Sequence, residues 1–412
     1  MFTEERRKII LDILEQFNRV SVNELANKFD VSKKTIRNDL NYLSSKKIIS
    51  RCYGGAIYSR KKMQSEIINN FSNEIDSIFK SSDKLKFSNK KGLTMAGKVC
   101  VMGSFNVDIV AKVERFPNKG ETLKSIDSIL GPGGKGANQA LAASKAGAQV
   151  HFVSKVGKDQ FSDFAFKHLE NSGIFSFTLY QSDTQSTGNA LIYVSQSDGE
   201  NMIAINPGAN QTISNEEVSA IEEELTKSDI LIVQLENNID ATVNCLKMAN
   251  KNDILTILNP APYSKDIAQC MPYVDVITPN ETEAYELSGV LITDIDSAIE
   301  ASKVILNMGV NKVVITLGAK GVLVNDNGNT THVPAYNAVC VDTTGAGDAF
   351  NGAFAAALSQ NYSVINAANF AAAFASLAVE LEGASAMPDK EQVSMRLTSQ
   401  TPSFSPAAAY SL

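Results

Sequence analysis

The sequence predicts an α/β protein in which a mostly parallel sheet is covered by helices on both faces, preceded by a small helical module. From residue 98 onward, short apolar segments with strand character alternate with longer segments of helical periodicity. Before residue 60, apolar residues recur at helical spacing in three short segments. The length of 412 residues leaves room for two or three domains.

The bulk composition narrows the class of protein. Hydrophobic residues make up 44% and charged residues 20%, which is typical of a globular chain with ample core. No apolar run approaches the roughly 18 residues that span a bilayer, and the N-terminus lacks the apolar core of a signal peptide. The five cysteines are scattered without a CxxC pair, and the three histidines are not spaced as metal ligands. We therefore expect a cytoplasmic protein with no membrane partner and no His-based metal site.

Charge is distributed unevenly along the chain. Residues 1–92 carry 19 Lys and Arg against 11 Asp and Glu, whereas residues 93–412 carry 19 against 34. A basic head on an acidic body predicts that only the head meets nucleic acid.

The head has the pattern of a winged helix-turn-helix. A helix over 5–17 is followed by a short helix capped by Ser21 and Glu24, and by a third helix from Ser32 through Leu43. Ile36, Leu40 and Leu43 are expected to face inward. The segment after Ile48, ending in Gly54-Gly55, predicts a small β wing. The structural alternative is a three-helix module with an ordinary basic face.

Two segments of the head resemble the DeoR family of sugar-operon regulators: residues 31–40 (VSKKTIRNDL) and residues 51–56 (RCYGGA). Asn38 and Tyr53 depart from the family's usual arginine and histidine. The resemblance implies a DNA operator as partner. It places base or phosphate contacts at Lys33, Lys34, Thr35, Arg37 and Arg51.

The remaining segments predict the domain boundaries: 1–58 winged helix-turn-helix, 59–97 linker, 98–395 the α/β body, and 396–412 a disordered tail. Apolar residues at helical spacing within the linker predict one amphipathic helix near 64–80.

Buried strands of the body end in polar residues. The first strand, 99–102, leads into Gly103–Asp108, and later strands near 230–236, 254–259, 276–280 and 313–318 have polar ends as well. Ligands of open α/β sheets bind beyond the carboxyl ends of the strands, so we expect these polar ends to converge on one crevice. Apolar residues alternating between Thr187 and Pro207 predict a hairpin.

A glycine-rich turn precedes an alanine-rich helix at 342–352 (DTTGAGDAFNG). An apolar strand pattern (Ala338, Val339, Val341) is expected before it. Bare backbone N–H groups at a helix N-terminus favour an anion, and the carboxylate of Asp348 lies at the same point. A base and an anion-binding turn together suit phosphoryl transfer to an alcohol. The alternative is that Asp348 only caps the helix.

Several motifs resemble, in order, the ribokinase branch of the PfkB carbohydrate kinases. They are Gly103–Asp108, Gly133–Asn138, Pro279–Glu283, Thr316–Gly318 and Gly345–Asp348. The resemblance implies a three-layer α/β/α sandwich with a small β lid. It implies ATP-dependent phosphorylation of D-ribose to ribose 5-phosphate, with Mg²⁺ and, less firmly supported by the motifs, K⁺.

The resemblance also implies roles for individual residues. The sugar site would comprise Asn106, Asp108, Gly134, Lys135, Gly136, Asn138, Glu236 and Asp348. Asp348 would be the catalytic base, and the N–H groups of Gly345, Ala346 and Gly347 would stabilise the phosphoryl charge. Turn formation is the alternative for Asn106 and Asp108, and a helix-start charge is the alternative for Lys135.

The nucleotide and metal residues follow from the same resemblance. Asn280, Thr316, Gly318, Gly321 and Gly347 would contact the nucleotide, and there is no Walker-type P-loop. Asn280 and Glu283 would place Mg²⁺ through water, although the same pair could form a helix-capping box. Backbone or side-chain oxygens of Asp342, Thr344, Ala378 and Gly383 would hold K⁺. Met387 and Ala372 depart from the family's usual residues at the ion loop and near the adenine.

Three hypotheses remain open from sequence. The leading one is a ribokinase whose DNA-binding head regulates sugar-use genes, with sugar or nucleotide occupancy changing operator affinity. The second is a sugar-sensing regulator with an inactive kinase fold. The third is a kinase for a related sugar, such as deoxyribose or a fructose derivative, or for a nucleoside. A homodimer is expected, because the 187–207 hairpin resembles a lid that pairs between subunits.

Overall fold

The computed structural model describes Arg6, Ile10 and residues 19–29, 31–45, 49–52, 55–58, 96–197, 199–400 and 405–406. The chain divides into two compact units, Met1–Gly92 and Leu93–Leu412. The expected linker helix near 64–80 lies outside the described residues, as does most of the first predicted helix.

The first unit contains the elements of a winged helix. They are β1 Arg19–Ser21, α1 Val22–Phe29, α2 Lys33–Ser45, β2 Ile49–Cys52 and β3 Gly55–Tyr58. The strands form an antiparallel sheet in the order β1-β3-β2. Ile36, Leu40 and Leu43 are buried, as their spacing predicts. The buried carboxylate of Asp39 accepts a hydrogen bond from Arg6 Nε at 2.7 Å, which ties α2 to the helical segment containing Arg6.

The second unit has fourteen described strands. In chain order they are β4 Lys98–Met102, β5 Asn106–Val113, β6 Asp127–Gly133, β7 Gln149–Val156, β8 Ser176–Gln181, β9 Gly188–Ser195, β10 Asn201–Asn206, β11 Ile230–Val233, β12 Leu255–Leu258, β13 Val276–Ile277, β14 Lys312–Thr316, β15 Val322–Asp326, β16 Asn329–Val333 and β17 Ser405–Pro406. Ten of them form one sheet in the order β17-β16-β15-β14-β13-β12-β11-β4-β7-β8. The strands from β14 to β8 are parallel, and β15, β16 and β17 add antiparallel at one edge.

The α-helices of this unit are α3 Lys135–Lys145, α4 Gln160–Asn171, α5 Asn215–Ala220, α6 Glu222–Thr226, α7 Ile239–Lys251, α8 Glu281–Ser288, α9 Ile295–Leu306, α10 Ala346–Ser359, α11 Val364–Ala378 and α12 Lys390–Ser399. Side chains of alternate residues in the central strands pack into two separate hydrophobic cores. Val99 and Val101 of β4 pack with α3, α10 and α11, whereas Cys100 and Met102 pack with α7, α8 and α9. Because successive side chains of a strand point to opposite faces, the sheet is covered on both faces. The predicted three-layer α/β/α sandwich is therefore confirmed.

A second sheet of four strands, in the order β10-β9-β5-β6, forms the lid. The predicted hairpin is confirmed as β9 and β10, which pair antiparallel from Asn201↔Val194 to Asn206↔Asn189. Strand β5 continues the chain from the end of β4 and pairs with β9 in parallel and with β6 antiparallel. The lid is therefore connected directly to the carboxyl edge of the main sheet, through the link from β4 to β5.

One local prediction is wrong. The expected strand at Ala338, Val339 and Val341 is an irregular loop, in which both valines are exposed. Instead of pairing with a strand, the N–H groups of Val341 and Asp342 both donate to the carbonyl of Val379. Of the predicted tail at 396–412, the structure describes residues through Gln400 and Ser405–Pro406, which pair with His332 and Thr331 of β16.

Within the described part of the chain, no helix is long and apolar enough to cross a membrane.

Candidate active site

The glycine turn places Asp348 in the first turn of α10. Gly345 is the N-cap, with φ of 78°, a left-handed conformation that favours glycine. A Cβ on Gly345 would lie 2.5 Å from the carbonyl oxygen of Ala384, so the backbone of this turn also approaches the 379–387 loop closely. Asp348 is therefore not the helix cap, and its buried side chain is free for other contacts. The N–H of Ala346, one of the three predicted anion donors, already donates to Thr343 O at 3.2 Å.

Two amides from α3 hold the carboxylate of Asp348. Gln139 Nε2 donates to Asp348 Oδ1 at 2.9 Å, and Asn138 Nδ2 approaches Asp348 Oδ2 at 3.3 Å. Asn138 is itself oriented by Ser385, whose hydroxyl lies 2.8 Å from Asn138 Oδ1. The two glycine-rich motifs of the sequence, one at the start of α3 and one at the start of α10, therefore meet at a single buried carboxylate.

Asn106 and Asp108 occupy the same face of lid strand β5, two residues apart. A Cβ on Gly133 would lie 2.2 Å from Asp108 Oδ1, so this glycine leaves the space that the carboxylate fills. Asn106 Oδ1 accepts a hydrogen bond from Asn210 Nδ2 at 2.8 Å. Asn210 also exchanges hydrogen bonds with the backbone of Phe105, so it fixes the start of the lid.

Glu236 joins this group from the end of β11. Its Oε2 accepts hydrogen bonds from Ser104 Oγ and from the backbone N–H of Lys135 at 3.0 Å. Burial, followed by the charge of Glu236, raises the pKa of Asp108 to about 6. A carboxyl whose pKa is raised by burial and by a neighbouring carboxylate is a candidate for a functional residue.

Lys135 supplies positive charge between the carboxylates. The charge of Asp348 contributes most to raising the pKa of this ammonium group, burial opposes it, and Glu236 and Glu283 raise it further. The side chain is thus surrounded by acidic groups at the N-terminus of α3. Such a position suits a cation that contacts a phosphate.

Asn280 and Glu283 form the capping box of α8. Glu283 N donates to Asn280 Oδ1 at 2.8 Å, and Asn280 N donates to Glu283 Oε2 at 2.9 Å. The pair therefore forms the helix-capping box that the sequence offers as the alternative to a magnesium site. Burial raises the pKa of Glu283, although the bond from Asn280 and the charge of Lys135 oppose the shift. Since the charges of Asp348 and Lys135 both act on this pKa, the cap lies within electrostatic reach of both side chains.

The predicted nucleotide residues lie beside that cap. Thr316 at the end of β14 bridges to Asn280, and its N–H donates to Pro279 O at 3.0 Å. Gly318 and Gly321 have φ of 52° and 95° around a short turn. A Cβ on Gly321 would lie 2.1 Å from Val333 O, so the turn packs closely against the end of β16.

The predicted K⁺ residues lie on two adjoining loops. Asp342 Oδ1 accepts from Thr344 N at 2.8 Å, and its Oδ2 accepts from Gly383 N at 2.9 Å. Partial burial opposes ionisation, but these hydrogen bonds hold the pKa of Asp342 below its ordinary value. Ala378 ends α11 immediately before this loop. The structure therefore brings all four predicted positions to one place.

The 379–387 loop also contacts the lid. Glu382 forms an ion pair with Lys112 of β5 at 2.6 Å, and the hydroxyl of Ser385 lies 3.0 Å from Pro132 O of β6. Met387, which departs from the family pattern, packs against the alanine-rich core. Ala372 is buried in α11.

In the first unit, the predicted DNA-contacting residues lie on α2 and β2. Lys33 and Lys34 are exposed and Thr35 is half-buried at the start of α2. Ser32 caps this helix, because its Oγ accepts from Thr35 N at 3.1 Å. Arg37 lies in α2 and Arg51 in β2.

Comparison with known proteins identifies both units. A model of the pfkB family of carbohydrate kinases matches residues 96–391. The chain belongs to this family. A model of the DeoR-like helix-turn-helix domain matches residues 6–62, so the first unit carries that domain.

Relatives and solved structures agree with the family assignment. Ribokinase of Haemophilus influenzae is 38% identical over 299 residues, which is 72% of this chain and 97% of the relative. Deoxyribokinase of Salmonella typhimurium is 36% identical over 298 residues, covering 71% of this chain and 96% of the relative. Arabidopsis thaliana ribokinase, solved with ribose and ATP, superimposes with a TM-score of 0.68 at 31% identity, covering 74% of this chain and 99% of its own. The protein is thus a carbohydrate kinase with an attached helix-turn-helix domain.

Three polar side chains that support the site are not among the residues to which the sequence assigns individual roles: Asn210, Gln234 and Asn259. Gln234 and Asn259 directly follow β11 and β12 and are buried. They are two of the polar strand ends that the sequence predicts to converge on one crevice, since such ends meet at one edge of an α/β sheet. Asn210 follows the lid hairpin in a short 3₁₀ turn and has no comparable signature.

Proposed function

We propose that the second unit transfers the γ-phosphoryl group of ATP to D-ribose and releases ribose 5-phosphate and ADP. The observation that carries this proposal is the buried carboxylate of Asp348, which lies in the first turn of α10 and accepts hydrogen bonds from Asn138 and Gln139 of α3. The names of the relatives support ribose, but a deoxyribokinase matches almost as well as the ribokinases do. Deoxyribose is therefore the second candidate.

In this proposal, Asp108, Asn106 and Glu236 bind sugar hydroxyls from one side, and Gly134, Gly136 and Asn138 bound the pocket at α3. Asp348 accepts the proton of the terminal hydroxyl as that oxygen attacks the γ-phosphorus. The new O–P bond forms as the bond to the β–γ bridging oxygen breaks, and its electrons leave with ADP. Lys135 and the N–H groups of Gly345 and Gly347 stabilise the charge on the transferred group.

Thr316, Gly318 and Gly321 would hold the nucleotide, together with Asn280 and Gly347. Among the described residues, no three His, Cys, Asp or Glu side chains group as a metal site. Mg²⁺ is commonly held by one or two carboxylates, waters and substrate phosphates, so Glu283 with Asn280 fits it. The ion would neutralise phosphate charge. Oxygens of Asp342, Thr344, Ala378 and Gly383 would hold K⁺, a hard-ligand set that suits the ion.

Sugar-dependent ADP release by the full chain tests the reaction. The panel includes ribose, deoxyribose, fructose derivatives and nucleosides, with Mg²⁺ and K⁺ present and Asp348→Ala as the control. Ribose-dependent turnover that Asp348→Ala loses is the expected result. A preference for deoxyribose would favour the second candidate, and no turnover with any member would favour a sugar-sensing regulator.

We also propose a homodimer formed through the lid. Leu130, Leu191, Tyr193 and Met202 are exposed, and their strand register places them on the lid face opposite Asn106 and Asp108. Contiguous exposed apolar residues of this kind mark interaction surfaces. Sedimentation of a Leu191→Asp, Tyr193→Asp variant should show a monomer where the wild type is a dimer. An unchanged mass would remove the lid from the interface.

The helix-turn-helix domain would bind an operator of sugar-use genes, with occupancy of the kinase site changing its affinity. This proposal is supported by the joining of the two domains in one chain. Binding of duplex DNA fragments from the protein's own genomic neighbourhood, measured with and without ribose and ATP, tests it. Equal affinities would remove the coupling.

A further inference from the structure

A chain of buried amides runs across the carboxyl edge of the main sheet to Asp348. Thr278, Asn259 and Gln234 directly follow the adjacent parallel strands β13, β12 and β11, and Gln139 enters from α3. Asn259 Nδ2 donates to the backbone carbonyl of Thr278 at 3.2 Å. Gln139 Nε2 donates to Asn259 Oδ1 at 3.0 Å, and Gln234 Nε2 donates to Gln139 Oε1 at 2.7 Å.

The direction of this chain is fixed at one end. A backbone carbonyl can only accept, so Asn259 must turn its NH₂ group toward Thr278 and its oxygen toward Gln139. Gln139 must then present its NH₂ group to Asn259, which leaves its oxygen for Gln234. Each amide thus determines the orientation of the next one.

Two consequences of this direction are visible. The second hydrogen of Gln139 Nε2 points to Asp348 Oδ1 at 2.9 Å, so Gln139 is an obligatory donor to the base. At the other end, Gln234 Oε1 is buried and has no hydrogen-bond partner among the described residues. Burying an acceptor without a hydrogen-bond partner costs free energy, and this cost falls on Gln234, the last amide of the chain.

We propose that Gln139 is a positioning residue that orients the carboxylate of Asp348 for proton transfer, and that Gln234 acts through it. Gln139 binds Oδ1 and thereby directs Oδ2, which has only the longer contact with Asn138, toward the sugar hydroxyl. This inference rests on the proposed role of Asp348 as base. Because the side chain of Gln139 is fully buried, its effect is expected on the chemical step and not on sugar binding.

The test compares the steady-state kinetics of full-length Gln139→Met and Gln234→Met with those of the wild type, using the sugar that the wild type phosphorylates. Methionine keeps the side-chain length and removes the donor. We expect kcat to fall roughly 10- to 100-fold for Gln139→Met, the range for losing a hydrogen bond to a charged group, with the sugar KM within about threefold. Gln234→Met should lower kcat less, and the double variant should be no slower than Gln139→Met alone, because both act along one path.

Asn325→Leu is the matched control for loss of a buried amide. Asn325 lies in β15 and donates to Ser302 Oγ at 2.8 Å, in a contact unconnected with Asp348. It should lower the melting temperature without lowering kcat. If Gln139→Met behaves in the same way, or if only KM rises, the positioning role is overturned.

The result also separates this inference from the proposed function. An active wild type, an inactive Asp348→Asn and a fully active Gln139→Met would overturn the inference alone. If Asp348→Asn retains the wild-type rate, or if the wild type turns over no sugar, the base assignment and the inference both fail. Should Gln139→Met not fold, the Gln234→Met kinetics decide, since an unchanged kcat there would contradict the path.

Discussion

Asp108 has the most perturbed pKa among the residues proposed to bind the sugar. Burial and Glu236 raise its pKa to about 6, so the carboxyl is neutral below that pH and charged above it. A neutral carboxyl accepts hydrogen bonds from sugar hydroxyls less strongly than a carboxylate does. We expect kcat/KM for the sugar to fall as pH drops through about 6, a profile that reports the free enzyme.

Initial-rate measurements between pH 5 and pH 8 would check this expectation. The Asp108→Asn variant should have a lower kcat/KM throughout and should lack the acid limb near pH 6. If the limb survives in that variant, another group is responsible for it.

The same shift predicts a trade-off between stability and binding. Because the folded-state pKa of Asp108 exceeds its ordinary value of 3.8, its contribution to stability is present below that value and is lost as pH rises through about 6. Asp108→Asn should therefore raise the melting temperature at pH 7.5 by about a few degrees and change it little near pH 4.

Thermal denaturation at the two pH values measures this difference. Asp127→Asn is the control, because Asp127 is an exposed carboxylate of the same lid. A gain of equal size at both pH values, or the same gain in the control, would show that the charge of Asp108 is not the cause.

At the level of elements, the start of α10 offers two glycines with different constraints. Gly345 has a left-handed φ and lies against Ala384, whereas a Cβ on Gly347 would meet nothing within 4 Å. Gly345→Ala should lower both the melting temperature and turnover, since left-handed strain alone costs about 1–3 kcal/mol. Gly347→Ala should keep the wild-type melting temperature but lose turnover, because its methyl group enters the space proposed for the phosphoryl group.

Paired melting and kinetic measurements on these two variants distinguish the roles. Wild-type turnover in Gly347→Ala would place the phosphoryl group elsewhere. An unchanged melting temperature in Gly345→Ala would mean that the loop near Ala384 can shift to accommodate the added methyl group without loss of stability.

Some elements could be predicted from sequence and others could not, for physical reasons. Strands β4, β11, β12 and β14 are apolar runs buried on both faces. Such runs can be recognised as buried strands from the sequence alone. Strand β6 is mostly exposed and contains Gly131 and Pro132. Its extended conformation therefore depends on antiparallel pairing with β5 and not on a sequence pattern of its own. Val339 and Val341 show the opposite case, in which an apolar pattern has no partner strand and remains a loop.

The site shows the same division. The glycine turn, Asp348 and the start of α3 could be found because their spacing is local. The amide chain through Gln139 could not, because its direction depends on which three strands are neighbours in the sheet. The order in which strands pair depends on the whole folded chain and cannot be predicted from any single segment.

For the molecule as a whole, the two units carry opposite charge, and this predicts separable functions. Lys33→Ala with Lys34→Ala should weaken binding to random-sequence duplex DNA and lower the slope of log affinity against log salt by about 1 to 2. Sugar phosphorylation should be unchanged. Fluorescence anisotropy at several salt concentrations measures the slope.

Lys227→Ala is the control for this prediction, because Lys227 is an exposed lysine of the second unit that pairs with Glu223 and Glu224. It should leave the salt slope intact. An equal loss in this control would show that the acidic unit contributes to DNA binding.

The 379–387 loop has a consequence for how this enzyme could change its sugar preference. Through Gly383, Ser385 and Glu382, the loop contacts Asp342, Asn138 and the lid residue Lys112. A mutation selected for one of these contacts would disturb the other two, so improvements there would depend on simultaneous compensating changes. Laboratory evolution toward a new sugar should therefore accumulate its first single substitutions at positions outside the 379–387 loop and reach the loop only late.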